Sequence, residues 1–142
     1  MKLDEYMGMM DEDAVIDQTD LTRESLRIPQ LAAKYNRYLM AESKILKQAE
    51  VLLAEKETEL YKYYIGEGTD AIYKRMPLNK KPLKSEIPMY IKSNSEYTEL
   101  STKVYNQRIK VDLIVDFIKQ LNSRTYLIKN AIDWEKFKNG VN

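Results

Sequence analysis

Residues 97–121 read YTELSTKVYNQRIKVDLIVDFIKQL, and the apolar side chains in this stretch recur at alternating steps of three and four. That spacing is typical of one face of a long α-helix and approaches the heptad pattern of coiled coils. Ser95 suits an N-cap and Gly140 suits a stop, so we predict a C-terminal helix region over 95–139. Its apolar seam consists of Tyr97, Leu100, Val104, Val111, Ile114, Ile118, Leu121, Ile128 and Ile132, with Gln107 and Thr125 as polar members.

A second apolar row runs along another face of the same predicted helix. It consists of Tyr105, Ile109, Leu113 and Phe117, spaced four residues apart. A helix that is apolar on two sides needs more than one partner helix, and a single hairpin covers only one side. The sequence therefore favours a bundle or an oligomer, with a lone helical hairpin that buries its own core as the alternative.

The first long helix is predicted from about Pro29 to Ile65, within a helix region over 21–66. Pro29 suits the first turn of a helix because its missing N–H has no partner there. A separate short turn, capped by Thr22, is expected to end near Arg27. The apolar positions are Ile28, Ala32, Tyr35, Leu39, Leu46, Ala49, Leu53, Leu60 and Tyr63, interrupted by Glu42 and Lys56 and followed by the glycines at 66 and 68.

The composition excludes several classes of chemistry. The chain of 142 residues has no Cys and no His, so thiolate or imidazole zinc sites and His-dependent nucleophilic sites cannot form. We predict no catalytic residue, no metal site and no cofactor, and therefore no enzyme. Neither a signal peptide nor a membrane span is apparent, so we expect an intracellular protein that does not enter the membrane.

The near-neutral net charge of +1 hides a segregation of charge along the chain. Residues 1–20 carry seven acids against one lysine, and we expect them to form a mobile acidic arm. Residues 71–92 carry six Lys and Arg against Glu86 alone. They lie in a predicted linker over 67–94, which contains three prolines and short turns. The chain is thus predicted as a single all-α domain, in which a basic, proline-containing linker joins two long helices into a coiled-coil-like helical hairpin that assembles into a homo-oligomer.

The basic stretch over 73–92, YKRMPLNKKPLKSEIPMYIK, is the candidate nucleic-acid site. Prolines favour extended backbone, and an extended basic segment can follow phosphates without reading sequence. Tyrosines between the cations can stack on bases. The predicted DNA-binding residues are Lys62, Tyr73, Lys74, Arg75, Lys80, Lys81, Lys84, Tyr90 and Lys92. The alternative is a lysine-rich surface loop without a ligand.

Two further stretches carry a family resemblance. The first begins at Ile16-Asp17, enters the helix at Ile28-Pro29 and closes at Tyr63-Tyr64-Ile65-Gly66. The second runs from Lys110-Val-Asp-Leu113 through Asn122-Ser-Arg124 to Ile128-Lys-Asn-Ala-Ile-Asp-Trp-Glu-Lys-Phe137. In these segments the chain resembles the UvsY recombination mediator family of T-even-type bacteriophages. One departure is the stretch before Tyr63, which can be strongly basic in the family but reads Glu55-Lys-Glu-Thr-Glu59 here.

The resemblance implies a protein that is not an enzyme and that binds single-stranded DNA. Its implied partners are a phage recombinase and the phage single-strand-binding protein that the recombinase replaces. It also implies a homo-oligomeric helical ring of about six or seven subunits in the cytoplasm of the infected bacterial host. The predicted oligomerisation and core residues are Leu100, Val104, Val111, Ile114, Ile118, Ile128, Ile132, Trp134 and Phe137. The alternative function is a helical-hairpin scaffold or chaperone that binds protein clients.

Overall fold

The C-terminal helix predicted from the apolar seam is continuous in the structure, a computed structural model that describes residues 1–140. These residues form helices and no strand, which confirms the all-α class. The helices are α1 (Leu3–Ala14), α2 (Leu21–Tyr64), α3 (Asp70–Arg75), α4 (Ile87–Ser93) and α5 (Ser95–Lys138), with a 3₁₀ turn at Lys84–Glu86. No helix within 1–140 has the length and apolarity that crossing a membrane requires.

The ends of the two long helices follow from local chemistry. Gly66 and Gly140 have φ of 87° and 70°, in the left-handed region where glycine carries no Cβ penalty, so the predicted glycine stops are confirmed. The predicted cap at Ser95 is wrong. The side-chain oxygen of Asn94 accepts a hydrogen bond from the Tyr97 amide at 3.1 Å, and Ser95 is already helical.

The N-terminal half of α2 differs from the prediction at Pro29. We expected a separate turn before this residue, but a single helix runs from Leu21 to Tyr64 with Pro29 inside it. The first turns are secured independently of the missing proline N–H. The Asp20 carboxylate accepts from the Arg23 amide at 3.2 Å, and Arg27 pairs with the buried Glu24 carboxylate at 2.8 Å.

Replacing Pro29 with alanine should stabilise the protein. The proline ring is exposed, so its removal opens no cavity, and alanine restores one backbone hydrogen bond inside the helix. The free energy of unfolding should rise by up to about 3 kcal/mol, measured as a shift of the urea midpoint at fixed protein concentration. An unchanged or lower midpoint would contradict a continuous α2 that is destabilised by its internal proline.

The chain divides into two compact units, and both long helices contribute to each. Unit 1 comprises Met1–Ser43 and Ile109–Asn142, described through residue 140, and unit 2 comprises Lys44–Arg108. The core of unit 1 joins α1, α2 and α5, so the two-sided apolar helix has two partner helices here. This core consists of Tyr6, Met10, Leu31, Tyr35, Ile114, Phe117 and Leu121.

Helix α1 corrects the expectation of a mobile acidic arm. Tyr6 and Met10 lie one turn apart and are buried against α2 and α5, which the acidic composition of this stretch concealed. The Tyr6 hydroxyl donates to the buried Glu42 carboxylate at 2.8 Å. Burial raises the pKa of the Tyr6 hydroxyl, and its hydrogen bond to Glu42 adds to that shift.

The other end of α1 is attached by a network of buried and half-buried charges. The Asp13 carboxylate accepts from Lys34 and from the Tyr35 hydroxyl, each at 2.7 Å. The Arg124 guanidinium, which is only 4% exposed, donates to the Asp13 carbonyl and lies 4.0 Å from the Glu24 carboxylate. The network therefore fixes α1 against both long helices at its C-terminal end.

Unit 2 contains a smaller core around α4. It consists of Leu60, Ile87 and Ile91, with Tyr64, Ile65, Met76 and Tyr97 packed against it. Leu60 comes from α2, Tyr97 from α5 and the two isoleucines from α4. The short helix α4 is thus held between the ends of the two long helices that unit 2 contains.

Candidate nucleic-acid interface

Unit 2 carries the excess positive charge of the protein. Residues 44–108 contain twelve Lys and Arg against nine Asp and Glu, a net charge of +3, whereas the rest of the chain carries −2. The predicted DNA-binding residues all lie in this unit. They occupy the last turn of α2 (Lys62), α3 (Tyr73, Lys74, Arg75), the connection that follows (Lys80, Lys81), the 3₁₀ turn (Lys84) and α4 (Tyr90, Lys92).

Much of the basic stretch is helical rather than extended. The expectation of extended backbone over 73–92 is wrong at its two ends, because α3 and α4 occupy them and only residues 76–83 lack a helical turn. The Thr69 hydroxyl caps α3 by accepting from the Ile72 amide, and Ile72 is buried. Pro88 lies in the first turn of α4, where a missing N–H has no cost, so its presence favours this helix.

Most of the predicted cations are exposed and free of salt bridges. Among the residues that the structure describes, this holds for Lys62, Lys74, Lys80, Lys81, Lys84 and Lys92. Lys81 lies over Gly66, so closely that a Cβ added at Gly66 would come within 2.6 Å of the lysine side chain. These six ammonium groups are therefore available to an anionic ligand.

Arg75 differs from the other predicted cations because carboxylates surround it. Its guanidinium lies 3.8 Å from Glu59 and 3.6 Å from Glu96, and Lys56 bonds to the same two carboxylates at 2.8 Å. The hydrogen bond from Lys56 holds the pKa of the Glu96 carboxyl below its ordinary value. This cluster of two cations and two anions is neutral, so part of the acidic stretch 55–59 serves to join α2, α3 and α5.

The two tyrosines of the prediction have different environments. The Tyr73 ring stacks on Tyr63 at 5.2 Å, and its hydroxyl donates to the Tyr63 carbonyl at 2.7 Å. It also accepts from the Gly68 amide, so Tyr73 anchors α3 to the end of α2. Tyr90 is 40% exposed, and its ring lies 5.6 Å from the ring of Tyr64. Tyr64, which is not among the predicted DNA-binding residues, is the aromatic neighbour of Tyr90.

A groove of about 440 Å³ brings cations and aromatic rings together on one side of α4. We call it the Tyr90 groove. Lysine ammonium groups on aromatic walls suit a ligand that has both negative charge and flat apolar faces. The only acid among its lining residues is Glu86, which bonds to the Leu83 amide at 3.4 Å. The lining residues are Tyr64, Leu78, Lys80, Lys81, Pro82, Leu83, Glu86 and Tyr90.

No group of carboxylates within residues 1–140 is arranged to hold a metal ion. Asp112 and Asp116, which share a face of α5, are both exposed.

The predicted oligomerisation residues fall into two sets. Val104, Val111, Ile114 and Ile128 are buried within the chain itself, and Leu100, Ile118 and Ile132 are half-buried. Trp134 and Phe137 are 58% and 73% exposed, and their rings stack on each other at 5.5 Å. Within this prediction, the residues with a large free apolar surface are therefore the two aromatics near the end of α5.

Comparison with known proteins places the chain in a family. Residues 9–141 match the family described as "Recombination, repair and ssDNA binding protein UvsY". The chain belongs to the UvsY family. The resemblance seen in the sequence is thereby confirmed, and the family is one of recombination, repair and single-stranded DNA binding. No match was found among curated proteins.

Solved structures show the same fold as this UvsY-family chain. A crystal structure of the bacteriophage T4 recombination mediator protein UvsY is 20% identical, with a TM-score of 0.88 and coverage of 98% of both chains. A second lattice of the T4 protein gives a TM-score of 0.84 at 20% identity, covering 94% of this chain and 98% of that one. A third gives 0.80 at 19% identity, covering 97% and 99%.

Proposed function

We propose that this chain is a recombination mediator that binds single-stranded DNA without sequence preference through the basic surface of unit 2. The observation that carries the proposal is the Tyr90 groove, where unpaired lysines border exposed aromatic surface. The phosphates would contact Lys62, Lys74, Lys80, Lys81, Lys84 and Lys92. Arg75, which is more than half exposed, would contact a phosphate in competition with Glu59 and Glu96. Tyr73 supports the surface rather than stacking on a base.

The absence of sequence preference follows from the chemistry of the surface. Lysine is a flexible point charge that contacts phosphates, and tyrosine rings stack on any base because every base has a π-face. The proposed contacts include no bidentate side chain reading a base edge, as sequence-specific binding commonly requires. Nothing in this mechanism requires a reaction, so the chain acts as a binding protein and not as an enzyme.

The mediator assembles, in this proposal, into a homo-oligomeric ring. Each subunit contributes a weak site, and a strand that contacts several subunits gains affinity through effective concentration. The exposed apolar rings of Trp134 and Phe137 are suited to subunit contacts, since burying them removes apolar surface from water. The ring would function in the cytoplasm of the infected host, where a phage recombinase replaces the single-strand-binding protein on DNA.

A replacement assay tests the mediator function. Fluorescent single-strand-binding protein is assembled on oligo-dT, and the rate of its release is measured after addition of the phage recombinase, with and without this chain. We expect this chain to accelerate release, because it binds the strand while the two proteins exchange. Tight binding of this chain to oligo-dT without any acceleration would contradict mediation while leaving DNA binding intact.

A further inference from the structure

A second groove, of about 370 Å³, borders α4 and shares Lys84 and Lys92 with the basic surface described above. We call it the Tyr61 groove. Glu86 and Tyr90 line the Tyr90 groove, whereas Ile87 and Ile91 line this one. The two pairs are offset by one residue, which corresponds to about 100° of rotation around a helix. The two grooves therefore lie on different sides of α4. The lining residues are Glu57, Thr58, Tyr61, Lys84, Ile87, Pro88, Ile91, Lys92 and Tyr97.

The walls of the Tyr61 groove are mainly apolar and aromatic, and two cations and one acid, Glu57, border it. Tyr61 is 48% exposed, so its ring presents free surface, while Ile87 and Ile91 are buried beneath. Lys84 and Lys92 are exposed and have no carboxylate partner among the described residues. A groove with this lining fits a flat, apolar group that is attached to negative charge.

The positions of the lysines connect the two grooves. Lys80 and Lys81 line the Tyr90 groove, and Lys84, three residues further along, lines the Tyr61 groove. Lys92 borders the Tyr61 groove from the other end of α4. A phosphate backbone that leaves Lys81 and continues to Lys84 therefore passes from one groove to the other.

We propose that the Tyr61 groove is a second base-binding site on the same strand. This inference rests on the proposed function and specifies how each subunit holds the DNA. One base stacks on Tyr90 beside Tyr64, another enters the Tyr61 groove against the Tyr61 ring, and α4 separates the two bases. Lys84 and Lys92 hold the phosphates that flank the second base.

The test compares two tyrosine variants on two oligonucleotides. Tyr61→Leu removes the stacking ring from the groove, and the matched control Tyr126→Leu removes a ring that is 72% exposed on α5 in unit 1. Affinity is measured for oligo-dT and for an abasic oligodeoxynucleotide of equal length. We expect Tyr61→Leu to weaken oligo-dT binding at least about fivefold and to leave the abasic affinity and the salt dependence unchanged.

Other outcomes separate this inference from the function on which it rests. If the wild-type chain binds neither oligonucleotide, the proposed function itself fails. If it binds both equally, or if Tyr61→Leu weakens oligo-dT binding no more than Tyr126→Leu does, the second base site is wrong while phosphate binding stands. Equal losses on both oligonucleotides would also overturn it, because they indicate a general effect on the surface.

Discussion

Replacing Lys80, Lys81 and Lys84 together with glutamine should weaken oligo-dT binding about a hundredfold at roughly 0.1 M salt. The estimate follows from counterion release. Each phosphate contact on a single strand contributes about 0.7 to the slope of log affinity against log salt. Loss of three contacts should therefore reduce the slope by about two. The resulting loss of affinity should be largest at low salt.

The chain offers a control with the same change in charge. Lys119, Lys129 and Lys136 are exposed on α5 in unit 1 and form no salt bridge among the described residues. Their replacement with glutamine should leave affinity and slope near the wild-type values. Equal losses of oligo-dT affinity in both triple variants would indicate a net-charge effect. Intact mediator activity in the variant at Lys80, Lys81 and Lys84 would favour a scaffold for protein clients. Solution mass should be unchanged in both.

Replacing Arg124 with methionine should destabilise the protein by about 3 kcal/mol. The change leaves the buried Glu24 carboxylate with Arg27 as its remaining cation and removes the donor to the Asp13 carbonyl. Breaking a buried pair from one side is costly because the charge that stays buried loses part of its compensation. The measurement is urea unfolding at fixed protein concentration, since self-association would add to the apparent stability.

Two further variants show whether charge is the cause. Adding Glu24→Gln to the Arg124→Met variant should recover part of the loss, because the buried carboxylate that has lost one of its two neighbouring cations is then neutral. Lys129→Met, an exposed change on the same helix, should alter the free energy of unfolding by no more than about 0.5 kcal/mol. Full stability of the Arg124→Met protein would contradict a structural role for the network that holds α1.

The two long helices could be predicted from the sequence, whereas helix α1, which packs against both of them in unit 1, could not. Apolar spacing over many turns identifies a helix such as α5, and a glycine such as Gly140 marks its end. Helix α1 has only Tyr6 and Met10 as buried residues, too few to produce a clear period among its acids. Its position depends on the buried groups Glu42 and Arg124, which composition alone assigns to the surface.

The candidate site was predictable as a region but not in its arrangement. Cations cluster in the sequence between the long helices, and this clustering identifies the basic surface of unit 2. Which tyrosines are accessible depends on packing. The Tyr73 hydroxyl is bonded to the Tyr63 carbonyl, and the free aromatic surface belongs to Tyr90 and Tyr61. The acids that pair with Arg75 come from α2 and α5, which are far apart in sequence.

The most direct test of the account is the salt dependence of wild-type binding to oligo-dT. Affinity is measured over a series of salt concentrations, together with the solution mass of the assembly with and without DNA. We predict a linear fall of log affinity with log salt, with a slope of up to about −4 per subunit if all six unpaired lysines contact phosphates. Affinity that does not change with salt, or no binding at all, would contradict the account.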